Sequence, residues 1–278
     1  MTTTATTAAA PAATTPGRRA GPVSDTLTSA LRVLLAYRRS PGLVLASLAV
    51  PVAMVLVFGY VFGSAMTVPG SGNYREFLMP GLFVMVAVNG LMPTMVGAAR
   101  DVGRGLTDRM RSMPVSRSAL LLGQALADLL VGVVVLVPLT LVGLAVGWRI
   151  RDGLGPALGA YGLLVLFRSV MTWVGTYLGL AAGKEEMAAQ LSVLTFPLAM
   201  VTNAFVPTGG MPGWLRTVAE WNPISAVVAA CRRLFDNPGA VGEAWPVQHP
   251  VTATLLWSGL LLAVFVPLAV RKFASHGR

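Results

Sequence analysis

Charge is scarce in this chain. Only 12% of its 278 residues are Asp, Glu, Lys or Arg, whereas 55% are hydrophobic. A soluble globular domain carries about 25% charged residues, so this composition excludes an ordinary soluble protein and points to the membrane class. We therefore expect an all-α integral membrane protein, because a helix of about 20 apolar residues is long enough to cross a bilayer.

Cysteine and histidine are almost absent, which leaves little for metal or redox chemistry. The one cysteine, Cys231, cannot form a disulfide within the chain. The two histidines, His249 and His276, fall on opposite sides of the membrane in the topology given below, so no zinc ligand set can be assembled. We expect no metal site, no cofactor bound by this chain and no enzymatic activity.

A phosphate-binding loop for ATP is also missing. The segment GLAAGKEE comes nearest to the pattern G-x-x-x-x-G-K-[ST], but Gly179 and Gly183 are one residue too close, and Glu185 follows Lys184. The chain is therefore not expected to hydrolyse ATP itself, and Lys184 is expected in a short cytoplasmic turn.

Long apolar runs are what the chain has instead. Six stretches are long enough to cross a bilayer core of about 30 Å. Four of them contain no charged residue, while the third contains Asp128 and the fourth contains Arg168. The six predicted spans are 42–63, 77–99, 119–146, 154–182, 187–206 and 250–270.

The basic residues predict the orientation of these spans. A net charge of +10 could indicate a nucleic-acid partner, but the basic residues gather beside span ends and form no stripe with aromatic residues. We therefore expect no nucleic-acid partner. With the N-terminus inside, 14 of the 21 lysines and arginines lie on the cytoplasmic side, as the positive-inside rule requires. Both termini are then cytoplasmic.

Composition also predicts the domain boundaries and the cellular location. Residues 1–23 are a Thr/Ala-rich tract without the apolar core of a signal peptide, and are expected to form a disordered cytoplasmic tail. Residues 24–272 are predicted to form the six-span membrane domain, and 273–278 a short cytoplasmic tail. The bias towards Ala, Gly, Val and Arg is typical of a GC-rich bacterial genome, so we expect a multi-pass protein of a bacterial plasma membrane.

Two segments outside the spans are predicted to lie in the membrane interface. Residues 24–40 place leucines on one helical face, which indicates an N-terminal interfacial helix or a cytoplasmic extension of the first span. Residues 207–249 are too long for a plain connection and predict short extracytoplasmic helices between spans five and six. Four residues there either form an aromatic belt or cap the exit of a pathway: Trp214, Trp221, Asn222 and Pro223.

Charge is concentrated in the connection between spans two and three, GRGLTDRMRSMPVSR. At 100° per residue, Leu106, Met110 and Met113 share one stripe, and Arg104 and Asp108 lie opposite. This two-faced cytoplasmic helix must bury its apolar stripe against lipid headgroups, the helical bundle or a partner protein. The alternative is a basic anchor with no further role.

This connection and the helix after it, GLTDRMRSMPVSRSALLLGQALADLL, resemble type-2 ABC exporter permeases, particularly the daunorubicin-resistance permease family. A second stretch, LSVLTFPLAMVTNAFVPTGGMPGWLRTVAEWNPISAVVAACRRL, is similar to the fifth span and outer segment of that family, with its Phe-Val-Pro, Met-Pro, Trp-Leu and Asn-Pro landmarks in order. Together with the six-span layout, the resemblance covers nearly everything from residue 24 to residue 272.

The resemblance implies an assembly and a set of roles. The chain would pair with a second permease copy or homologue in the lipid bilayer, and a separate cytoplasmic ABC ATPase subunit would bind ATP and Mg and drive export. The family often has a Glu ahead of the glycine where this chain has Asp101, so either Asp101 or Asp108 is expected to meet the ATPase. The residues that would contact this subunit and transmit its closure to spans two and three are Arg104, Leu106, Asp108, Arg109, Met110 and Met113.

Four polar residues in or near the spans are candidates for a transport pathway: Asn89, Asp128, Arg168 and Asn203. An isolated charge in the membrane costs at least about 2.5 kcal/mol, so Asp128 and Arg168 should each face the bundle interior, a water-filled path or the other. A proton or ion relay through them would make the protein a secondary transporter driven by an ion gradient. Asn89 and Asn203 either touch a substrate or form hydrogen bonds between helices.

The predicted spans offer mostly aliphatic, Phe and Met surface with few polar groups. Together with the resemblance, this surface predicts export of a hydrophobic or amphipathic compound, such as a drug, an antibiotic or a lipid. The alternatives are the ion-driven transporter and a membrane scaffold without transport activity. Substitution of Asp108 and Arg109 distinguishes them, because only the exporter should lose partner binding and export.

Overall fold

The computed structural model describes residues 41–62, 73–103, 117–239 and 242–275. These residues are almost entirely helical, and no β-strand occurs among them. The predicted tail 1–23 and the predicted interfacial helix 24–40 lie outside the described residues. So do the six predicted coupling residues: Arg104, Leu106, Asp108, Arg109, Met110 and Met113.

The helices of the described chain are numbered here in chain order. They are α1 (Pro41–Leu56), α2 (Tyr74–Val88), α3 (Leu91–Gly103), α4 (Arg117–Val146), α5 (Leu154–Ala182), α6 (Glu185–Val193), α7 (Thr195–Met200), α8 (Gly213–Trp221), α9 (Pro223–Phe235), α10 (Trp245–Gln248) and α11 (Pro250–Ser275). A π-helical stretch, Val57–Phe62, continues α1, and a 3₁₀ turn, Thr208–Gly210, precedes α8.

Four helical stretches of the described chain are long and apolar enough to cross a membrane. These four coincide with predicted spans two, three, four and six. The first predicted span corresponds to α1 with its π-helical continuation, whose apolar part, Ala49–Val61, is shorter. Helix length alone therefore does not give the predicted count of six. The four long stretches are Tyr74–Gly103, which comprises α2 and α3, Ala125–Val146, Leu154–Ala182 and Pro250–Ser275.

The fifth predicted span, 187–206, is not one helix, which corrects that prediction. α6 and α7 are separated at Leu194, and the chain is irregular after α7. Pro197 contributes to this break, because it has no N–H for the carbonyl of Val193 and its ring crowds that carbonyl. Leu194 closes a tighter turn by donating its N–H to the carbonyl of Leu191 at 3.1 Å. The continuous apolar run in the sequence therefore conceals a break.

α3 and α5 approach each other at backbone distance. A Cβ at Gly175 would lie 2.4 Å from the carbonyl oxygen of Leu91, and a Cβ at Gly179 would lie 2.1 Å from that of Met95. Any larger side chain at either glycine would push the two helices apart. The glycines at this four-residue spacing therefore hold α3 along α5 over successive turns.

An aromatic cluster fixes α9 against α2 at the end of the bundle near Tyr74. The ring of Trp148, which follows α4, lies 5.1 Å from the rings of both Phe83 and Phe235. Its indole N–H donates to the side-chain oxygen of Asn237 at 2.6 Å. A buried indole with its polar group satisfied is a stable anchor, so this cluster sets the position from which α9 reaches the site described next.

Candidate functional site

A cavity of about 290 Å³ lies between α1, the junction of α2 and α3, and the broken pair α6 and α7. No charged side chain lines it, as far as the structure describes the chain. Its polar groups are confined to Asn89, Ser192 and Thr195. This is the common design of a small-molecule site, with mostly apolar walls and a few polar groups that orient the ligand.

Methionine is the most frequent residue in the walls of this cavity, through Met54, Met85, Met92 and Met200. Phe205, which follows α7, is also part of the wall. Methionine side chains are unbranched and polarisable, so they adapt to ligands of different shape. The lining can therefore accept an apolar body without a strict requirement on its outline.

Only one of the four predicted pathway residues belongs to the cavity. Asn89 lines it, whereas Asp128, Arg168 and Asn203 do not. The methionines and Phe205 were not named from the sequence. Hydropathy does not show which apolar residues of a span face a cavity, so these residues could not be singled out from the sequence.

The junction of α2 and α3 breaks the helical hydrogen-bond ladder beside the cavity. Gly90 donates its N–H to the carbonyl of Ala87 at 3.3 Å, and so leaves the carbonyl of Val86 without its α-helical partner. That carbonyl instead accepts a hydrogen bond of 2.8 Å from Nη1 of Arg168. Arg168 therefore stabilises the break that positions Asn89 at the cavity.

Arg168 and Asp128 pair directly, which is one of the arrangements that the sequence left open. Nη2 of Arg168 donates to Oδ1 of Asp128 at 2.8 Å, and Nε donates to the main-chain carbonyl of Asp128 at 3.0 Å. The hydroxyl of Thr172 donates to Oδ2 at 2.7 Å. Both carboxylate oxygens and all three guanidinium nitrogens are thus engaged, so the pair joins α4 and α5 and also holds α2.

A glycine makes room for this pair. A Cβ at Gly132 would lie only 2.2 Å from Cδ of Arg168. The arginine side chain therefore crosses α4 directly over the backbone of Gly132, which allows it to reach from α5 to the broken end of α2.

The irregular segment 201–206 after α7 is held by a second buried arginine. Arg232 of α9 is 0% exposed. Its Nη2 donates to the carbonyls of Asn203 at 2.9 Å and Ala204 at 3.1 Å. Its Nε donates to the carbonyl of Phe77 in α2 at 3.0 Å. Irregular backbone at membrane depth requires such partners inside the protein.

Asn203 links the irregular segment to α9. Its N–H donates to the hydroxyl of Ser225 at 3.1 Å, and its Nδ2 donates to the carbonyl of Ser225 at 3.3 Å. The hydroxyl of Tyr74 donates to the carbonyl of Phe205 at 2.8 Å. Side chains of α2 and α9 thus satisfy the broken segment, and this brings Phe205 to the cavity.

The four outer residues singled out from the sequence do not form one cluster. Asn222 caps α9 by accepting the N–H two residues ahead at 2.9 Å, and its Nδ2 donates to the carbonyl of Val201 at 3.0 Å. Pro223 is the first residue of α9, where a proline loses no helical hydrogen bond. Trp214 and Trp221 are 72% and 51% exposed, and neither lines the cavity.

An ion pair within α8 also binds the 3₁₀ turn before that helix, through Thr208. Nε of Arg216 donates to the carboxylate of Glu220 at 2.7 Å, and the hydroxyl of Thr208 donates to the same oxygen at 3.3 Å. The hydrogen bond and the charge of Glu220 raise the pKa of Arg216 above its ordinary value. This contact fixes the orientation of α8 relative to the turn.

Two contacts join the end of α3, which precedes the predicted coupling residues 104–113 in the sequence, to the start of α6. Arg100 forms an ion pair with Glu185. One turn deeper, Met95 and Ala99 pack with Ala188 in a small apolar cluster. α6 continues from there to the cavity wall, so the end of α3 is in direct contact with the helix that lines the cavity.

Comparison with known proteins gives a consistent family match. The chain matches the family described as ABC-2 type transporter over residues 25–235. It is 32% identical, over 92% of its length and 88% of the relative, to the daunorubicin resistance ABC transporter permease protein DrrB1 of Streptomyces coeruleorubidus. It is 24% identical, over 91% of each chain, to the probable doxorubicin resistance ABC transporter permease protein DrrC of Mycobacterium tuberculosis. It is 22% identical, over 74% of its length and 72% of the relative, to the putative transport permease ycf38 of Cyanophora paradoxa. These matches confirm the resemblance found in the sequence.

Proposed function

The chain belongs to the ABC-2 type transporter family, and we propose that it is the membrane permease subunit of an ATP-driven exporter of hydrophobic or amphipathic compounds. The observation that carries this proposal is the cavity of about 290 Å³ with methionine-rich walls and no charged lining residue among those described. A sugar would leave hydroxyl groups without hydrogen-bond partners there, and an ion would leave its charge without a counter-charge. An apolar body has neither requirement.

The substrate to test first is an amphipathic drug. Two relatives are named for resistance to daunorubicin and doxorubicin. The apolar walls would bind the body of such a compound, and Asn89, Ser192 or Thr195 would form its few hydrogen bonds. A lipid is the other member of this substrate class.

The free energy for export would come from ATP hydrolysis in a separate cytoplasmic ABC ATPase subunit that binds ATP and Mg. The residues proposed to contact it are those of the predicted coupling helix, 104–113. In this assembly two permeases, either identical or homologous, lie side by side in the bacterial plasma membrane with their termini in the cytoplasm. The contact of Arg100 with Glu185 supports the coupling, because it joins the end of α3 to a helix of the cavity wall.

The ion-driven alternative receives less support. A relay needs groups that can exchange protons or ions with water, but both carboxylate oxygens of Asp128 accept hydrogen bonds from Arg168 and Thr172. Neither residue lines the cavity. These contacts favour a structural role for Asp128 and Arg168.

Photocrosslinking from position 108 tests the proposed partner. A photoreactive residue in place of Asp108, in native membranes, is expected to capture a soluble ATPase with a P-loop, in amounts that change when nucleotide is added. A photoreactive residue in place of Ala274, near the end of α11, is the control for unspecific capture on the same predicted side. Capture of lipid or of the chain itself alone, from an intact and folded protein, would contradict the proposal.

A further inference from the structure

The two buried arginines of the described chain are held by different kinds of partner. Arg168 faces the carboxylate of Asp128 at 2.8 Å. Arg232 is 0% exposed and has no carboxylate within ion-pair distance among the residues that the structure describes. A buried charge without a counter-ion is costly, so the partners that Arg232 does have must explain its place.

The partners of Arg232 belong to two different parts of the fold. On one side, Nε donates to the carbonyl of Phe77, and the guanidinium lies 3.5 Å from the centre of the Phe77 ring. On the other side, Nη2 donates to the carbonyls of Asn203 and Ala204. We call Arg232 with these three carbonyls the latch, because it joins α2 to the irregular segment 201–206.

The two parts joined by the latch are in backbone contact. A Cβ at Gly81 of α2 would lie 2.5 Å from the carbonyl oxygen of Ala204. No side chain separates the segment from α2 at this point. The segment can therefore rest directly on α2 while Arg232 holds both.

The latch determines where the next residue, Phe205, lies. Phe205 is 4% exposed and is part of the cavity wall. Its ring centre lies 5.1 Å from that of Phe58, which follows α1, and its carbonyl accepts the hydroxyl of Tyr74. Displacement of the segment from α2 would therefore open the cavity wall at Phe205.

The hydrogen bonds of Arg232 to its three carbonyl partners can be broken more easily than an ion pair. A carbonyl is a neutral acceptor, and a guanidinium separates from it at lower cost than from a carboxylate in a low dielectric. The hydrogen bonding around the latch is also incomplete, since Nη1 of Arg232 and Oδ1 of Asn203 have no hydrogen-bond partner among the described residues. Arg168 shows the opposite arrangement, in which a carboxylate binds the arginine at 2.8 Å.

We propose that Arg232 is a positioning residue that latches segment 201–206 onto α2 and closes the cavity at Phe205, and that release of this latch is a step of transport. The second half of this inference rests on the proposed function, whereas the first half concerns the fold alone. The experiment below therefore measures the latch and the transport separately.

The accessibility of position 205 measures the latch directly. The full chain with Cys231→Ala and Phe205→Cys is placed in lipid nanodiscs, and the rate of reaction with a membrane-impermeant maleimide is followed. Arg232→Lys is expected to react at least about tenfold faster, because an ammonium cannot donate to both sets of carbonyls in the fixed fork of a guanidinium. Arg233→Lys changes the exposed neighbour in the same way and should leave the rate unchanged. Equal rates for the two variants would overturn the latch.

Asn203→Asp tests the latch in the opposite direction and does not depend on a weakened fold. Its carboxylate would supply the missing counter-charge for Arg232, at the loss of one long hydrogen bond of 3.3 Å to Ser225. We expect slower labelling at position 205, a higher melting temperature in detergent and, on reconstitution with the ATPase, at least about fivefold slower ATP-dependent uptake of doxorubicin into inside-out vesicles.

The signs of these changes separate the possible outcomes. If Asn203→Asp lowers both the melting temperature and transport, Arg232 only supports packing. If Asn203→Asp raises the melting temperature but leaves transport unchanged, release of the latch is not a transport step. If the parent chain itself shows no ATP-dependent uptake of doxorubicin while the labelling rates follow the expected order, the latch stands and the proposed function fails.

Discussion

At the scale of single residues, Arg168 determines how three helices meet. It replaces the hydrogen bond that the carbonyl of Val86 loses at the junction of α2 and α3, and it neutralises Asp128. Its side chain lies over the backbone of Gly132. A charge inside the bundle is therefore tolerated because every contact around it is specific, and loss of any partner should be measurable.

Replacing Arg168 by Met is expected to destabilise the protein by about 3–5 kcal/mol, because Asp128 would remain buried without a counter-charge. Adding Asp128→Leu to this variant removes that charge and should recover most of the loss. The melting temperatures of the parent, the two single variants and the double variant in detergent measure the coupling. Losses that simply add would show that the two residues act independently.

Gly132→Ala is expected to destabilise the protein by about 1–3 kcal/mol, because its Cβ would overlap the side chain of Arg168. Gly162→Ala is the matched control, since a Cβ there meets nothing within 4 Å. It should stabilise α5 by up to about 1 kcal/mol through its higher helix propensity. Thermal melting compares the two substitutions, and a similar shift for both would mean that the crossing over Gly132 carries no special constraint.

The sequence made the pairing of Asp128 with Arg168 only one of several options, and the reason is geometric. The two residues stand at different depths in their predicted spans, which argues against contact when helices are treated as rods. An arginine side chain is long enough to bridge such an offset, and the glycine at position 132 brings it close to the backbone of α4. Neither effect can be read from hydropathy.

At the scale of helices, the sequence located most elements but not their interruptions. Apolar length predicted the four long helical stretches of the described chain well, because about 20 residues are needed to cross a bilayer whatever their packing. The break in 187–206 could not be read from apolar content, which does not report which carbonyls lack a partner. Pro197 was the available signal for the kink at Leu194. Nothing in the sequence pattern indicated that side chains of α2 and α9 would satisfy the segment after α7.

The contact between α3 and α6 yields a prediction about coupling. Arg100→Glu should reduce ATP-dependent doxorubicin uptake into inside-out vesicles because it would repel Glu185, and the further change Glu185→Arg should restore uptake. Stability should change little, since both side chains are largely exposed and water screens their charges. Lys184→Glu alters charge by the same amount one residue away from Glu185 and is the control. Equal effects of Arg100→Glu and Lys184→Glu would mean that net charge, and not this contact, matters.

At the scale of the whole molecule, the cavity is bounded on one side by apolar residues that the single chain leaves exposed. Val50 of α1 and Val193 of α6 both line it, and they are 62% and 68% exposed. In the proposed assembly, lipid or the second permease lies against these residues. The described chain thus contributes the methionine-rich wall, Asn89 and the latch, and the surrounding membrane or partner covers the open side.

Met85→Trp is expected to abolish most transport without disturbing the assembly. The larger ring would occupy much of a cavity of about 290 Å³, so doxorubicin uptake into inside-out vesicles should fall at least about tenfold. Capture of the ATPase from position 108 should persist, because the substituted side chain lies at the cavity and not in the predicted coupling helix.

Val133→Trp introduces the same ring on the exposed face of α4, outside the cavity lining, and should leave uptake near that of the parent chain. Unchanged uptake in Met85→Trp would show that the substrate takes another route. Loss of both uptake and ATPase capture would instead assign the effect to a failure of assembly.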